Sequence, residues 1–228
     1  MLDCAESSRA WARLYKGRSR AWLGSTEGEK VQPASGRLYP DGANPRASLA
    51  AMKILAISGS ARRQSTNTAL LRALQAIAPT GMALEVYTGI GDLPVFSPDL
   101  EGADEPGSVT DFKAAIAQSD GVLVCSPEYV RGIPGGLKNA IDWLVSGDQI
   151  VGRPIALVHA SHRGEDMLQA LRAVLSTVSS AFSADLFLRV PVLGLEPQQV
   201  ADVLRSESHR AEAEAFLHGF AEYCRLPL

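Results

Sequence analysis

From Lys53 onward the chain alternates short β-branched apolar runs with longer stretches whose apolar residues recur every three and four positions. That alternation leaves few architectures open. The strand candidates are Ile54–Ser58, Leu84–Tyr87, Gly121–Ser126, Pro154–Ala160 and Asp185–Val190. Between and after them lie helix candidates at Thr66–Ala78, Ser108–Gln118, Gly135–Ser146, Asp166–Ser180 and Gln198–Tyr223, the last with a break expected around Ser206–Ser208. Five strands alternating with five helices predict a three-layer α/β/α sandwich around a five-stranded parallel sheet. Strands this apolar need cover on both faces, which the helices supply. In such sheets ligands bind beyond the carboxyl ends of the strands, near the point where strand order reverses. The loops after Ser58, Ser126 and Ala160 are therefore the ones that carry function.

Charge divides the chain at Met52. Residues 1–51 hold 8 basic and 5 acidic residues, whereas residues 52–228 hold 14 basic and 20 acidic. The first segment is rich in Gly, Ser, Pro and Arg and lacks the apolar density that offsets ordering entropy, so it is expected to be a disordered or dispensable tail. Its acidic residues Asp3, Glu6, Glu27, Glu29 and Asp41 argue against an organelle transit peptide. Met52-Lys53-Ile54-Leu55 reads as a natural start running straight into a first strand. One domain is then expected, over residues 52–228. No apolar run approaches bilayer length, and the acidic balance with no basic block sets nucleic acid aside as well as membranes. Cys4, Cys125 and Cys224 are too few and too scattered for a disulfide framework or a zinc site, and they read as thiols of a cytoplasmic protein. Cys125, at the end of a Val and Leu run, reads as a small buried hydrophobe.

The first of the three loops, Ser58 to Thr68, brings hydroxyls at 58, 60, 65, 66 and 68, the amide of Asn67 and two arginines to the start of one helix. Free N–H groups and a positive dipole end make that a phosphate site, strengthened by guanidinium charge. The loop has one glycine and no Lys-Ser/Thr pair, so it is neither a triphosphatase loop nor a dinucleotide fingerprint, and a mononucleotide phosphate is the better guest. A plainer reading, in which Ser65 or Thr66 caps the helix and the arginines are solvated, stays open. The second loop, from Ser126 through Pro127, Glu128, Tyr129 and Val130, leaves a strand and enters a helix at Pro134, offering main chain and the Tyr129 edge to a planar aromatic ligand. Leu137, Ile141, Trp143 and Leu144 form the core-facing stripe of that helix. The third loop contains Ser161, His162, Arg163 and Gly164 after His159. His159 reads as a strand-end histidine and His162 as an exposed loop residue, with contact to a ligand as the alternative.

Taken together, the pattern GSxRxxSxN in the first loop, LPVFSPDLE at 93–101 and PEYxxxxPGxLKNAIDW at 127–143 resemble the NADPH-dependent FMN reductase family of quinone, chromate and azo-dye reductases. The resemblance runs from about Met52 to the last helix. It implies a flavodoxin-like fold with strand order 2-1-3-4-5, non-covalent FMN, NADPH or NADH as hydride donor, a small-molecule electron acceptor, and a homodimer or dimer of dimers with the flavin near the subunit interface. Ser60, Arg62, Ser65 and Asn67 match the family's phosphate positions, with Thr68 beside them. Pro127, Glu128 and Tyr129 match the segment that follows the flavin ring, and Ser161 and His162 stand in the loop near its pyrimidine edge. The chain departs from the family pattern at Val130, where many relatives have Asn and only main-chain contact is left here. It departs again after the fourth strand, where Ser161-His162-Arg163-Gly164 has a single glycine. Because the flavin carries the chemistry, no catalytic acid or base and no metal is expected. Two further readings of the same fold remain: an FMN electron carrier without reductase activity, and a flavin-free binding protein.

Overall fold

The structure is a computed structural model that describes residues 51–226. The expected tail therefore lies outside the described residues, apart from Ala51.

Within them the strands are β1 (Met52–Ser58), β2 (Met82–Tyr87), β3 (Gly121–Cys125), β4 (Ile155–His159) and β5 (Phe182–Arg189). The helices are α1 (Thr66–Ala76), α2 (Gly107–Ala117), α3 (Gly135–Asp142), α4 (Glu165–Val178), α5 (Pro197–Val203) and α6 (Glu207–Cys224). The sheet is parallel throughout, in the order β2-β1-β3-β4-β5. The expected fold class and strand order both hold. The single late helix is two, separated at Leu204–Ser206, close to the expected break. Three short 3-10 turns between Gly89 and Asp104 had no counterpart in the periodicity.

The sheet sorts its side chains by the two-residue period of a strand. Ile54, Ala56, Leu123, Cys125, Ala156 and Val158 face a core shared with α1, α5 and α6. Leu55, Ile57, Val122, Val124, Ile155 and Leu157 face a second core shared with α2, α3 and α4. Every residue of β3 and β4 is buried, so both strands have lost their polar face. That is why their sequences read as continuous apolar runs.

The chain turns from β1 to β2 on one side and returns to place β3 on the other, so strand order reverses between β1 and β3. The two following loops approach closely there. Gly59 N–H donates to the Cys125 carbonyl over 2.8 Å. A Cβ at Gly59 would lie 2.8 Å from the Ser126 Cβ and 2.9 Å from a Leu137 methyl, so only glycine fits this crossing.

Among the described residues no helix is long and apolar enough to cross a membrane, and no three His, Cys, Asp or Glu side chains are grouped to hold a metal ion.

Candidate functional site

The carboxyl ends of β1, β3 and β4 open into one cleft. Its lining comprises Ser60, Arg62, Ser65, Thr66 and Asn67 from the first loop, Ser126 to Tyr129 from the second, His159 to Ser161 with Arg163 and Gly164 from the third, and Leu193.

The first loop is held by its own hydroxyls. Ser58 Oγ and Thr68 Oγ1 share a buried hydrogen bond of 2.7 Å, and the Arg62 N–H donates to Ser60 Oγ over 3.3 Å. Ser65 is the N-cap of α1, extended in backbone and accepting from the Thr68 N–H over 3.3 Å. Ser60 and Ser65 use a lone pair in these bonds, so each keeps its own O–H to donate. Asn67 accepts from the Cys125 thiol over 3.3 Å and leaves its amide nitrogen without a partner among the described residues. Arg62 and Arg63 likewise have no ion-pair partner among them. Burial pushes the Cys125 thiol far up, which keeps it an inert donor.

The second loop is stitched to α4. Glu128, which lines the cleft, accepts the Met167 N–H over 3.0 Å, so its carboxylate serves an orphan donor in the first turn of that helix. Arg131 pairs with Asp166 on the same turn. Between them Tyr129 and Gly132 exchange both main-chain hydrogen bonds, at 3.1 and 3.0 Å. Val130 at φ 49° and Arg131 at φ 59° fill the two central positions of this tight turn. Positive φ at both positions is the signature of a type I′ turn, usually built with Asn or Gly. A β-branched residue there is strained. The Val130 side chain is fully exposed and touches nothing in the described chain that would compensate.

The long motif after this turn has a structural task. Asn139 of α3 donates to the Pro94 carbonyl over 2.9 Å and accepts the Phe96 N–H over 2.8 Å. Trp143 adds a 2.8 Å bond to the same Pro94 carbonyl and meets Phe96 edge-on. The LPVF segment is thereby fastened to α3.

In the third loop Ser161 Oγ accepts the Arg163 N–H over 3.0 Å, and Gly164 takes a left-handed φ of 102° to start α4. His159 is buried, and burial holds its pKa below the ordinary 6.5.

Of the residues predicted from sequence, Ser60, Arg62, Ser65, Asn67, Pro127, Glu128, Tyr129 and Ser161 line the cleft. Thr68 does not: it is buried one turn deeper, where it props Ser58. Val130 points into solvent, and His162 is exposed beside the lining. Thr66, one of the first-loop hydroxyls, and Gly164 of the third loop also join the lining, as do Ser126, Ala160 and Leu193, which carry no ligand expectation in the sequence. So does Arg163, which was weighed only as an alternative, and so does His159, expected only at a strand end. Leu193, more than 20 residues past the third loop, carried no motif, and only folding brings it there.

The sequence model of the NADPH-dependent FMN reductase family matches residues 52–188. A 2-hydroxy-1,4-benzoquinone reductase of Burkholderia sp. is 44% identical over 93 residues, 41% of this chain and 50% of the relative. A quinone reductase of Escherichia coli K12 is 35% identical over 116 residues, 50% of this chain and 61% of the relative. The aligned segment thus spans only about half to three-fifths of these relatives. Among solved structures, the flavoenzyme NAD(P)H:(acceptor) oxidoreductase FerB of Paracoccus denitrificans superposes with a TM-score of 0.59 at 26% identity, covering 75% of this chain and 98% of its own.

Proposed function

Because the chain belongs to the NADPH-dependent FMN reductase family, we propose that it is an NAD(P)H-dependent FMN-containing oxidoreductase. It passes hydride from NADPH or NADH to FMN and on to a small-molecule acceptor in ping-pong order. The acceptor classes are quinones, free flavins, azo compounds and metal oxyanions, and the relatives named quinone reductase favour a quinone.

The observation that carries this reading is the convergence of two unlike surfaces at the β1/β3 switch. One holds the Ser60 and Ser65 hydroxyls, the unpartnered Asn67 amide, the Arg62 guanidinium and the free N–H groups that open α1. This donor set fits a phosphate dianion. The other is the Pro127–Glu128–Tyr129 segment, where the main chain of Pro127 and Glu128 offers a polar edge to a planar ring while that of Tyr129 is turned to Gly132. Ser161 lines the cleft opposite, with His162 exposed beside it, and the pair would serve the ring's pyrimidine side or the nicotinamide. When bound, FMN supplies the hydride-accepting and electron-passing chemistry. The chain's own work is to fix the phosphate, orient the ring and keep one face open to two ligands in turn. No side chain is needed as acid or base.

We further propose a homodimer or dimer of dimers, in which a second copy covers the exposed apolar side chains of Tyr129, Val130 and Leu193 beside the cleft. A cytoplasmic location accords with the free thiols Cys125 and Cys224.

The deciding experiment is a flavin spectrum of the purified full chain, followed by steady-state oxidation of NADPH and of NADH with menadione. Bound FMN with turnover supports the reading. A chain that stays colourless after FMN addition overturns it, and bound FMN without turnover favours an electron carrier. Arg62→Ala is expected to weaken FMN binding by about tenfold or more, the scale of a lost charge-assisted hydrogen bond, as read by fluorescence titration.

A further inference from the structure

His159 closes β4 with 1% of its surface exposed, in the wall of the cleft. It stands between the second and third loops. Its Nε2 lies 2.5 Å from the Arg163 carbonyl. Its Nδ1 is buried without a hydrogen-bond partner, and the Ser126 backbone beside the ring favours its charged form. The third loop wraps the ring closely: a Cβ at Gly164 would sit 3.0 Å from both Cε1 and Nε2, and φ 102° is affordable there only to glycine.

A neutral imidazole has one N–H and one lone pair, so it serves one backbone carbonyl and leaves its other edge unserved. An imidazolium has two N–H groups and serves both. The charges around it oppose one another. Arg189 on β5 disfavours the imidazolium, Glu165 at the start of α4 favours it, and burial outweighs both. Glu128 lies across Gly164 on the second loop, tied to Met167, while Arg62, Arg163 and His162 hold the facing loops. The cleft lining thus carries two arginines, Arg62 and Arg163, against the carboxylate of Glu128, and an entering anion changes that balance.

We propose that His159 is a positioning residue that takes a second proton from solvent when an anionic ligand fills the cleft, and that the doubly protonated ring then clamps the second loop to the third through the Ser126 and Arg163 carbonyls. The identity of the anion, the FMN phosphate, rests on the functional reading above. The sign follows from linkage: a ligand that raises the pKa of a group binds more tightly as pH falls through that raised value. Near pH 6 the phosphate of FMN itself loses a proton on binding. Comparison with His159→Gln, which keeps an amide donor but cannot be charged, isolates the histidine.

The test is isothermal titration of FMN into the flavin-stripped full chain at pH 6 in two buffers of different ionisation enthalpy, with dissociation constants measured from pH 5.5 to 8. The wild type is expected to take up a measurable fraction of a proton more than His159→Gln. The ratio of the two affinities should grow toward the acid end by up to about tenfold, the effect of a one-unit pKa rise. Equal proton counts and a constant ratio overturn the proposal. Should the variant fail to fold, nitrogen-15 spectra of the wild-type histidines decide. The two-N–H form of His159 must appear at higher pH with FMN than without it, and an unchanged midpoint overturns the clamp. FMN binding without proton linkage sinks this inference alone, whereas no FMN binding sinks the functional reading with it.

Discussion

Val130 and Gly59 sit on neighbouring loops and have opposite problems. Val130 holds φ 49° with its side chain fully in water, so the chain bears the cost of a left-handed β-branched residue with no packing in return. Val130→Asn is expected to stabilise the protein by about 1 kcal/mol, since Asn visits that conformation more readily, and thermal melting should rise by about 2–4 °C for a chain of this size. No rise would mean that the valine side chain is engaged in the assembled protein. At Gly59 the crowding is of backbone against side chain, with Ser126 Oγ 2.7 Å from the position of a Cβ. Gly59→Ala should cost about 1–3 kcal/mol, in the range of overpacking, and weaken FMN binding with it, because both cleft loops must part. An unchanged denaturation midpoint would show that the crossing is looser than drawn. The pattern GSxRxxSxN made Ser60, Arg62, Ser65 and Asn67 legible. It could not show that Thr68 turns inward to Ser58, because a helix shifts its face by about 100° per residue and only packing fixes which face is inside.

Elements are joined here by polar bonds that no periodicity reports. The α3 motif looks like a ligand signature, yet Asn139 and Trp143 bind the LPVF segment. Asn139→Ala should therefore destabilise by about 2 kcal/mol, two hydrogen bonds with a main-chain N–H left unserved at Phe96, as read by urea denaturation. If stability holds and only FMN affinity falls, Asn139 belongs to the site instead. The start of α4 is tied to the second loop by Glu128 and Arg131, and β4 reaches the third loop through His159. Burial depresses the His159 pKa in the fold, so its contribution is present above the ordinary 6.5 and is lost as pH falls below it. The flavin-free protein should lose stability below that pH more steeply than His159→Gln does, measured by melting from pH 7.5 to 5.5. Matching pH profiles would remove His159 from the acid response. His159 reads from sequence as a mere strand-end residue because the fold of the third loop, which returns the Arg163 carbonyl to its ring, and the neighbouring end of β3 are set by tertiary structure.

At the scale of the whole molecule, two cores back to back on one sheet account for residues 52–226. We propose that residues 1–51 are dispensable to them. A chain truncated to begin at Met52 should melt with the full chain and bind FMN equally well. Precipitation or lost flavin binding would make the first segment part of the working fold. The alternation of apolar runs was enough by itself to determine the layer architecture, because covering a strand on both faces demands helices on both sides. Local turn chemistry was enough to narrow the α1 cap to Ser65 or Thr66 and to place the start of α3 after Pro134. Tertiary structure decided which loops meet. The reversal between β1 and β3, and the register of β3 on β4, bring Ser60, Tyr129, His159 and Leu193 to one cleft from four distant stretches of chain. Contacts between such stretches depend on strand order and on the packing of two cores, which are properties of the assembled sheet and of no single segment.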